Sequence, residues 1–171
     1  MIEASRRAGA GIVLTRIDNR LLHAQVTCAW NAKVHADLIV VANDETALDG
    51  VRRRIMAMAA PAGTEAEFLT LEDAAAQART PRAGRRILLI VATPQDALAL
   101  VRAGVEIRRL NVGNMSMAEG KRMVASAVAV DDADVEAFRA LRSSGARIEV
   151  RSVPAAKREP SAGLFELSPL C

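Results

Sequence analysis

The stretch "RIDNRLLHAQV", Arg16 to Val26, joins a strand-like apolar run to a run of helical period and so sets the fold class at the first junction. It places two arginines, an aspartate and one of the chain's two histidines between those runs. Outward from it, short β-branched segments alternate with Ala- and Leu-rich segments, the pattern of a parallel sheet wrapped by helices. The runs predict strands over 11–16, 37–42, 65–70, 86–92, 109–112, 125–130 and 147–153. Helices are predicted between them over 22–31, 45–60, 71–79, 94–103 and 132–143. The expected fold is a single α/β domain, 11–154, with an open, mainly parallel sheet of about seven strands and helices on both faces. A flexible extension, 1–10, is expected before it and a loosely attached tail, 155–171, after it.

Local signals support these edges. Thr93-Pro94 supplies a capping hydroxyl and then a proline suited to the first helical position. Asp131 and Asp134 form a variant capping box. Gly104 and Gly145 fall where a helix end wants a left-handed residue, and 115–122 reads as a loop.

Composition narrows the function. The chain has 171 residues, 51% hydrophobic but only 2% aromatic, so its core is aliphatic and stacking on bases or sugars is disfavoured. Net charge is +3, and Arg52-Arg53-Arg54 and Arg108-Arg109 are too short for a nucleic-acid arm. Two cysteines, Cys28 and Cys171, give neither metal-ligand spacing nor a disulfide framework, and point to a reducing compartment. The longest apolar run, Ile87 to Ala92, is too short to span a bilayer. No GxGxxG motif follows the first strand and no P-loop is present.

In an open α/β sheet, ligands bind at the carboxyl ends of the strands, where the loop holding Arg16, Asp18, Arg20 and His23 is expected. A helix starting near Leu22 would turn its free amides and positive dipole end toward that loop, each favourable charge being worth about 0.3–1 kcal/mol. Arg20 can set a planar guanidinium beside an anion. His23 can attack phosphorus through an unprotonated ring nitrogen, or can simply cap the helix. Asp18 can orient the imidazole, pair with Arg20 or cap the turn. Arg16 can reach a phosphate or pair with a carboxylate. Asn19 reads as a turn residue, Trp30 as a packing anchor, His35 as a solvated surface residue, Asp44 as a helix cap, and "NVGN", 111–114, as a turn or an amide donor.

The stretch resembles the active-site signature of the IIB components of the mannose-class sugar phosphotransferase system, approximately R-(I/V)-D-(D/E/N)-R-(L/F)-(I/L)-H-G-Q-V. The resemblance continues through "ADLIVVANDETALD", "MAMAAPAG", "ILLIVATPQDALALVRAGV", "LNVGNM" and "VDDADVEAFRALRSSGARIEVRSVP", covering roughly 12–154. It implies a cytoplasmic phosphocarrier that takes a phosphoryl group from a histidine of a IIA partner and passes it to a sugar through membrane IIC and IID partners. The acceptor would be His23 through Nδ1, steadied by Arg20, with Arg16 and Asp18 at motif positions; no metal or cofactor is called for. One departure is Ala24, where the motif carries glycine. The rival readings are a regulatory phosphohistidine protein without a transport role, and an anion-binding α/β module in which His23 only caps its helix.

Overall fold

The computed structural model describes residues 11–79 and 84–169; the expected extension 1–10 lies outside them. In chain order the elements are β1 (Gly11–Asp18), α1 (Ala24–Val34), β2 (Leu38–Ala42), α2 (Asp44–Leu48), α3 (Gly50–Ala57), β3 (Glu65–Leu69), α4 (Leu71–Ala78), β4 (Arg86–Val91) and α5 (Pro94–Arg102). They continue with β5 (Arg109–Asn114), β6 (Arg122–Ala125), β7 (Val128–Val130), α6 (Asp132–Ser143) and β8 (Arg147–Val150), and end in a 3-10 turn, Ala162–Leu164. Six strands form one sheet in the order β3-β2-β4-β1-β5-β8, every pair parallel.

The two-residue alternation of the strands feeds two apolar layers. On one face Leu14, Ile39, Val41, Leu88 and Ile90 pack with Trp30 and Val34 of α1 and with Met56 of α3. On the other, Ile17, Val40, Leu89 and Val91 pack with Leu100 of α5 and Phe138 and Leu141 of α6. Connections that step toward β3 run over the first face, and those that step toward β8 run over the second, as right-handed crossovers require. The connection leaving β1 and the one leaving β5 therefore depart in opposite directions from neighbouring strands. The crevice between their carboxyl ends is the switch point of the sheet.

The caps form as the sequence leads one to expect. Thr93 accepts from the Asp96 amide with Pro94 in the first turn, Asp131 and Asp134 complete a reciprocal capping box, and Gly104 and Gly145 lie at φ 92° and 100°. Three features differ. The expected strand over 125–130 is an antiparallel hairpin, β6-β7, because the chain turns at Ser126, whose amide and hydroxyl are both taken by Glu159; the sheet has six strands rather than seven. The expected helix over 45–60 breaks at Asp49, whose carboxylate caps the amides of Val51 and Arg52 at 3.0 Å each. Asn43, not Asp44, caps α2, while Asp44 accepts from the Leu71 amide at the start of α4.

The residues expected as a tail after Pro154 make specific contacts with the domain as far as Ser168, while 166–169 remain exposed. Leu164 is fully buried against the α5–α6 layer, Arg139 donates two hydrogen bonds to the Phe165 carbonyl, and the Arg142 guanidinium lies 3.8 Å from the centre of the Phe165 ring. Glu159 also bridges Val150, covering the open edge of β8. Replacing Leu164 with Ala is expected to lower unfolding free energy by about 2–5 kcal/mol in urea titration; an unchanged midpoint would mean that the segment contributes nothing to the core.

Candidate functional site

Asp18 ends β1 at the switch point and has no solvent exposure. Its carboxylate collects donors from every side. Arg16 Nη2 donates to Oδ2 at 2.9 Å, the Arg20 amide donates to Oδ1 at 3.0 Å, and the Arg20 guanidinium stands 3.5 Å from Oδ1. His23 Nε2 lies 3.1 Å from Oδ2. Burial pushes the Asp18 pKa up, but the hydrogen bond from His23, the Arg16 charge and the Arg20 amide outweigh it and hold the group below its ordinary value. Asp18 is therefore an ionised acceptor at neutral pH. A carboxylate can only accept, so a neutral His23 ring carries its proton on Nε2 and leaves the lone pair on Nδ1.

The turn that brings His23 back to Asp18 depends on Leu21. Its backbone sits at φ 58°, in the left-handed region that costs a non-glycine residue about 1–2 kcal/mol, and its amide closes on the Asp18 carbonyl at 2.9 Å. The side chains of Leu21 and Leu22, buried among Trp30 and Leu14, offset that cost. His23 then occupies the N-cap position of α1 in extended conformation, yet its side chain makes no capping bond. The helix is instead supported by the Thr27 hydroxyl, which accepts from the His23 amide at 3.3 Å. The imidazole is thus free of the capping role, and the amides of residues 24–26 open beside it, since the first intrahelical bond runs from Thr27 to the His23 carbonyl.

Arg16 lies elsewhere than a phosphate-reaching arginine would. Its side chain is 3% exposed, with Nη1 donating to Asn111 Oδ1 at 2.5 Å and to the Arg151 carbonyl at 3.4 Å, and with the guanidinium 5.9 Å from the Trp30 ring centre. Burial lowers its pKa and the Asp18 charge opposes that; a guanidinium stays protonated. Room for it exists because residue 113 is glycine: a Cβ there would stand 2.0 Å from the guanidinium carbon. Arg20, by contrast, has a side chain 57% exposed, and that of His23 is 23% exposed. The four residues that the sequence singles out are brought together, two as a buried support and two facing outward.

Sequence reasoning missed the supporting residues. Asn111 and Gly113 lie in β5, not in a turn, and serve Arg16; Asn111 also donates to the Arg151 carbonyl at 2.9 Å. Asn19 does more than turn the chain. Its amide bonds the Asn114 carbonyl, its side chain donates to Ala92 at 3.0 Å and accepts from the Ser116 amide at 2.5 Å, tying together the ends of β1, β4 and β5. Trp30 is a buried anchor, with its indole donating to the Ser152 carbonyl at 3.0 Å, and His35 is an exposed residue ending α1. Among the described residues no group of three or more His, Cys, Asp or Glu could hold a metal, and no helix is long and apolar enough to cross a membrane.

A doubly wound parallel domain with an outward-facing histidine and arginine at its switch point defines the class, and comparison with known proteins supplies the family. The family model described as "PTS system sorbose subfamily IIB component" matches residues 12–169. The chain is 42% identical to the N-acetylgalactosamine-specific phosphotransferase enzyme IIB component 2 of Escherichia coli, over 91% of this chain and 98% of that one. It is 36% identical to the sorbose-specific EIIB component of Klebsiella pneumoniae, over 91% and 93%. The crystal structure of the IIBSor domain of the Klebsiella sorbose permease superposes with a TM-score of 0.86 at 34% identity, covering 94% of this chain and 99% of that one. The chain belongs to the sorbose subfamily of PTS IIB components, the mannose/sorbose class of the sugar phosphotransferase system, and is accordingly a transferase of PTS sugar transport.

Two outcomes follow from the buried pair. Asp18→Ala leaves the Arg16 charge unmatched and is expected to cost about 3–5 kcal/mol of unfolding free energy. Because its native pKa is depressed, Asp18 contributes its full stability above the unfolded carboxylate value of about 3.9, and that contribution fades as pH falls through the lower native value. Acid titration of stability should therefore be shallower below about pH 4 in Asp18→Asn than in the parent chain; identical acid limbs would remove Asp18 from the linkage.

Proposed function

We propose that the chain is the phosphocarrier IIB subunit of a sugar phosphotransferase system, with Nδ1 of His23 as its phosphoryl acceptor. The observation that carries this reading is the bond from Nε2 to Asp18, which leaves Nδ1 as the nucleophilic nitrogen of the neutral ring. In the first transfer the bond from phosphorus to a IIA histidine nitrogen breaks as the bond to His23 Nδ1 forms. In the second, the bond to Nδ1 breaks as a sugar hydroxyl oxygen takes the phosphoryl group and releases its proton. Neither transfer needs covalent help beyond placement and charge stabilisation on the equatorial oxygens. Arg20 and the amides of residues 24–26 are suited to that stabilisation, while Asp18 and Arg16 hold the imidazole in place and touch no substrate.

The donor is a IIA domain. The mannose-specific EIIAB component of Escherichia coli is 39% identical over 83% of this chain, which spans 44% of that longer protein, and its description joins IIA with IIB. The acceptor sugar is a hexose or an N-acetylhexosamine, from the sorbose, mannose and N-acetylgalactosamine named for the relatives. It would be delivered through membrane IIC and IID partners, with this chain on the cytoplasmic side.

Incubation with a phosphoenolpyruvate-driven cascade ending in a mannose-class IIA is expected to add one acid-labile, alkali-stable phosphoryl group that peptide mapping places on His23. His23→Ala should abolish it while leaving the fold intact, since the ring fills no core cavity. Arg20→Lys should keep acceptance but slow transfer about tenfold, a point charge replacing a planar fork. Failure of several such donors on folded protein would overturn the phosphocarrier reading.

A further inference from the structure

Every acceptor direction of Asp18 is taken. A carboxylate offers about four lone-pair directions, and four donor groups surround this one: Arg16 Nη2 and His23 Nε2 at Oδ2, the Arg20 amide and guanidinium at Oδ1. An arginine beside a carboxylate frequently makes two parallel bonds, one to each oxygen. Arg16 makes one, although its side chain is buried against Asp18. A second bond would need a direction on Oδ1 and so evict the Arg20 amide, or would swing the carboxylate and strip His23 of its acceptor. Whatever keeps Arg16 to one bond is therefore part of how the imidazole is held.

Asn111 occupies the other end of the fork. It is fully buried on β5, directly across from Arg16 in the register of the two strands. Its Oδ1 accepts from Arg16 Nη1 at 2.5 Å, and its Nδ2 donates to the Arg151 carbonyl at 2.9 Å. That second bond fixes the amide's orientation, so that its oxygen and not its nitrogen faces the guanidinium. The Arg151 carbonyl also accepts from Nη1 at 3.4 Å, which gives both protons of Nη1 acceptors away from Asp18. We infer that Asn111 is a positioning residue for phosphoryl transfer: it holds Nη1 so that Arg16 presents only Nη2 to Asp18, which keeps Oδ2 open to Nε2 of His23. The neutrality of the side chain matters. A carboxylate at 111 would compete with Asp18 for the one guanidinium and would face the Arg151 carbonyl, whereas an apolar side chain would release Nη1 to seek a second bond on Asp18. Asn111 reaches no substrate, and its effect passes through Arg16 and Asp18. The inference rests on the phosphocarrier reading for what Nδ1 does, and not for how Nε2 is held.

The test is NMR on the full isotope-labelled chain without any donor, followed by transfer kinetics. In the parent chain the His23 Nε2–H proton is expected as a resolved signal, protected from exchange by Asp18. Asn111→Leu, of the same branched shape but with no acceptor, should abolish that signal and, with a mannose-class IIA donor, lower kcat about tenfold at unchanged KM. Asn111→Ser keeps an oxygen at the position and should fall between the parent and Asn111→Leu in both readouts; it decides the matter should the leucine variant not fold. A parental His23 signal and a parental kcat, in folded variants with a lowered unfolding midpoint, would show that Asn111 serves stability alone and would overturn the inference. A change confined to KM would overturn it too. If no donor phosphorylates the parent chain, the phosphocarrier reading fails, while the comparison of Nε2–H signals still decides whether Asn111 holds the ring.

Discussion

The pairing of Arg16 with Asp18 constrains everything at the carboxyl edge of this sheet. Two charges have been taken out of water at the end of β1, an arrangement that persists only when each keeps its partners. Arg16 needs acceptors, and finds Asp18, Asn111 and the Arg151 carbonyl; it needs volume, and finds it over Gly113 and against Trp30. These partners come from β5, the segment after β8 and α1, so the ion pair fixes which elements surround the end of β1. Asp18, held in this way, has a second oxygen for the Arg20 amide and shares the first with His23. The loop is shaped by its buried end.

Side-chain exposure divides the motif residues into support and contact. Asp18 and Arg16 are buried, His23 is about a quarter exposed and Arg20 more than half. A group that must present one nitrogen along one line gains from being fixed before its partner arrives, because no reorganisation is then needed during reaction. The fixing is achieved by residues that an incoming molecule cannot reach. Substitutions at Arg16 and at Arg20 are therefore different perturbations of one site, although both remove a guanidinium.

What the sequence discloses here is what local chemistry dictates. The strands, the five helical segments, the Thr93 cap and the Asp131–Asp134 box can be read because each depends on neighbours within a few positions. The single break at Asp49 escaped because a carboxylate two residues before an amide is also compatible with an unbroken helix. The hairpin at Ser126 escaped because its turn is held by Glu159, 33 positions away. The burial of Arg16 is harder still: its acceptor on Asn111 is 95 positions distant, and only the adjacency of β1 and β5 brings them together. The segment after 154 reads as a loosely attached tail, yet Leu164 and Phe165 seat part of it. The histidine itself was conspicuous from its setting, whereas the side-chain bond that selects its free nitrogen is a tertiary fact.

Ala24 brings these strands of argument to one position. It is the first residue of α1, next to His23, and it is exposed. Against glycine at the same place, alanine favours the helix by up to about 1 kcal/mol and narrows the unfolded ensemble. That firms the turn whose free amides open beside the imidazole, so within the chain the substitution supports the site. The methyl group itself lies on the exposed surface, so it crowds nothing within the domain. The departure from the motif is thus neutral or favourable for folding, and on the phosphocarrier reading proposed above its effect would be felt only by a partner docking at His23.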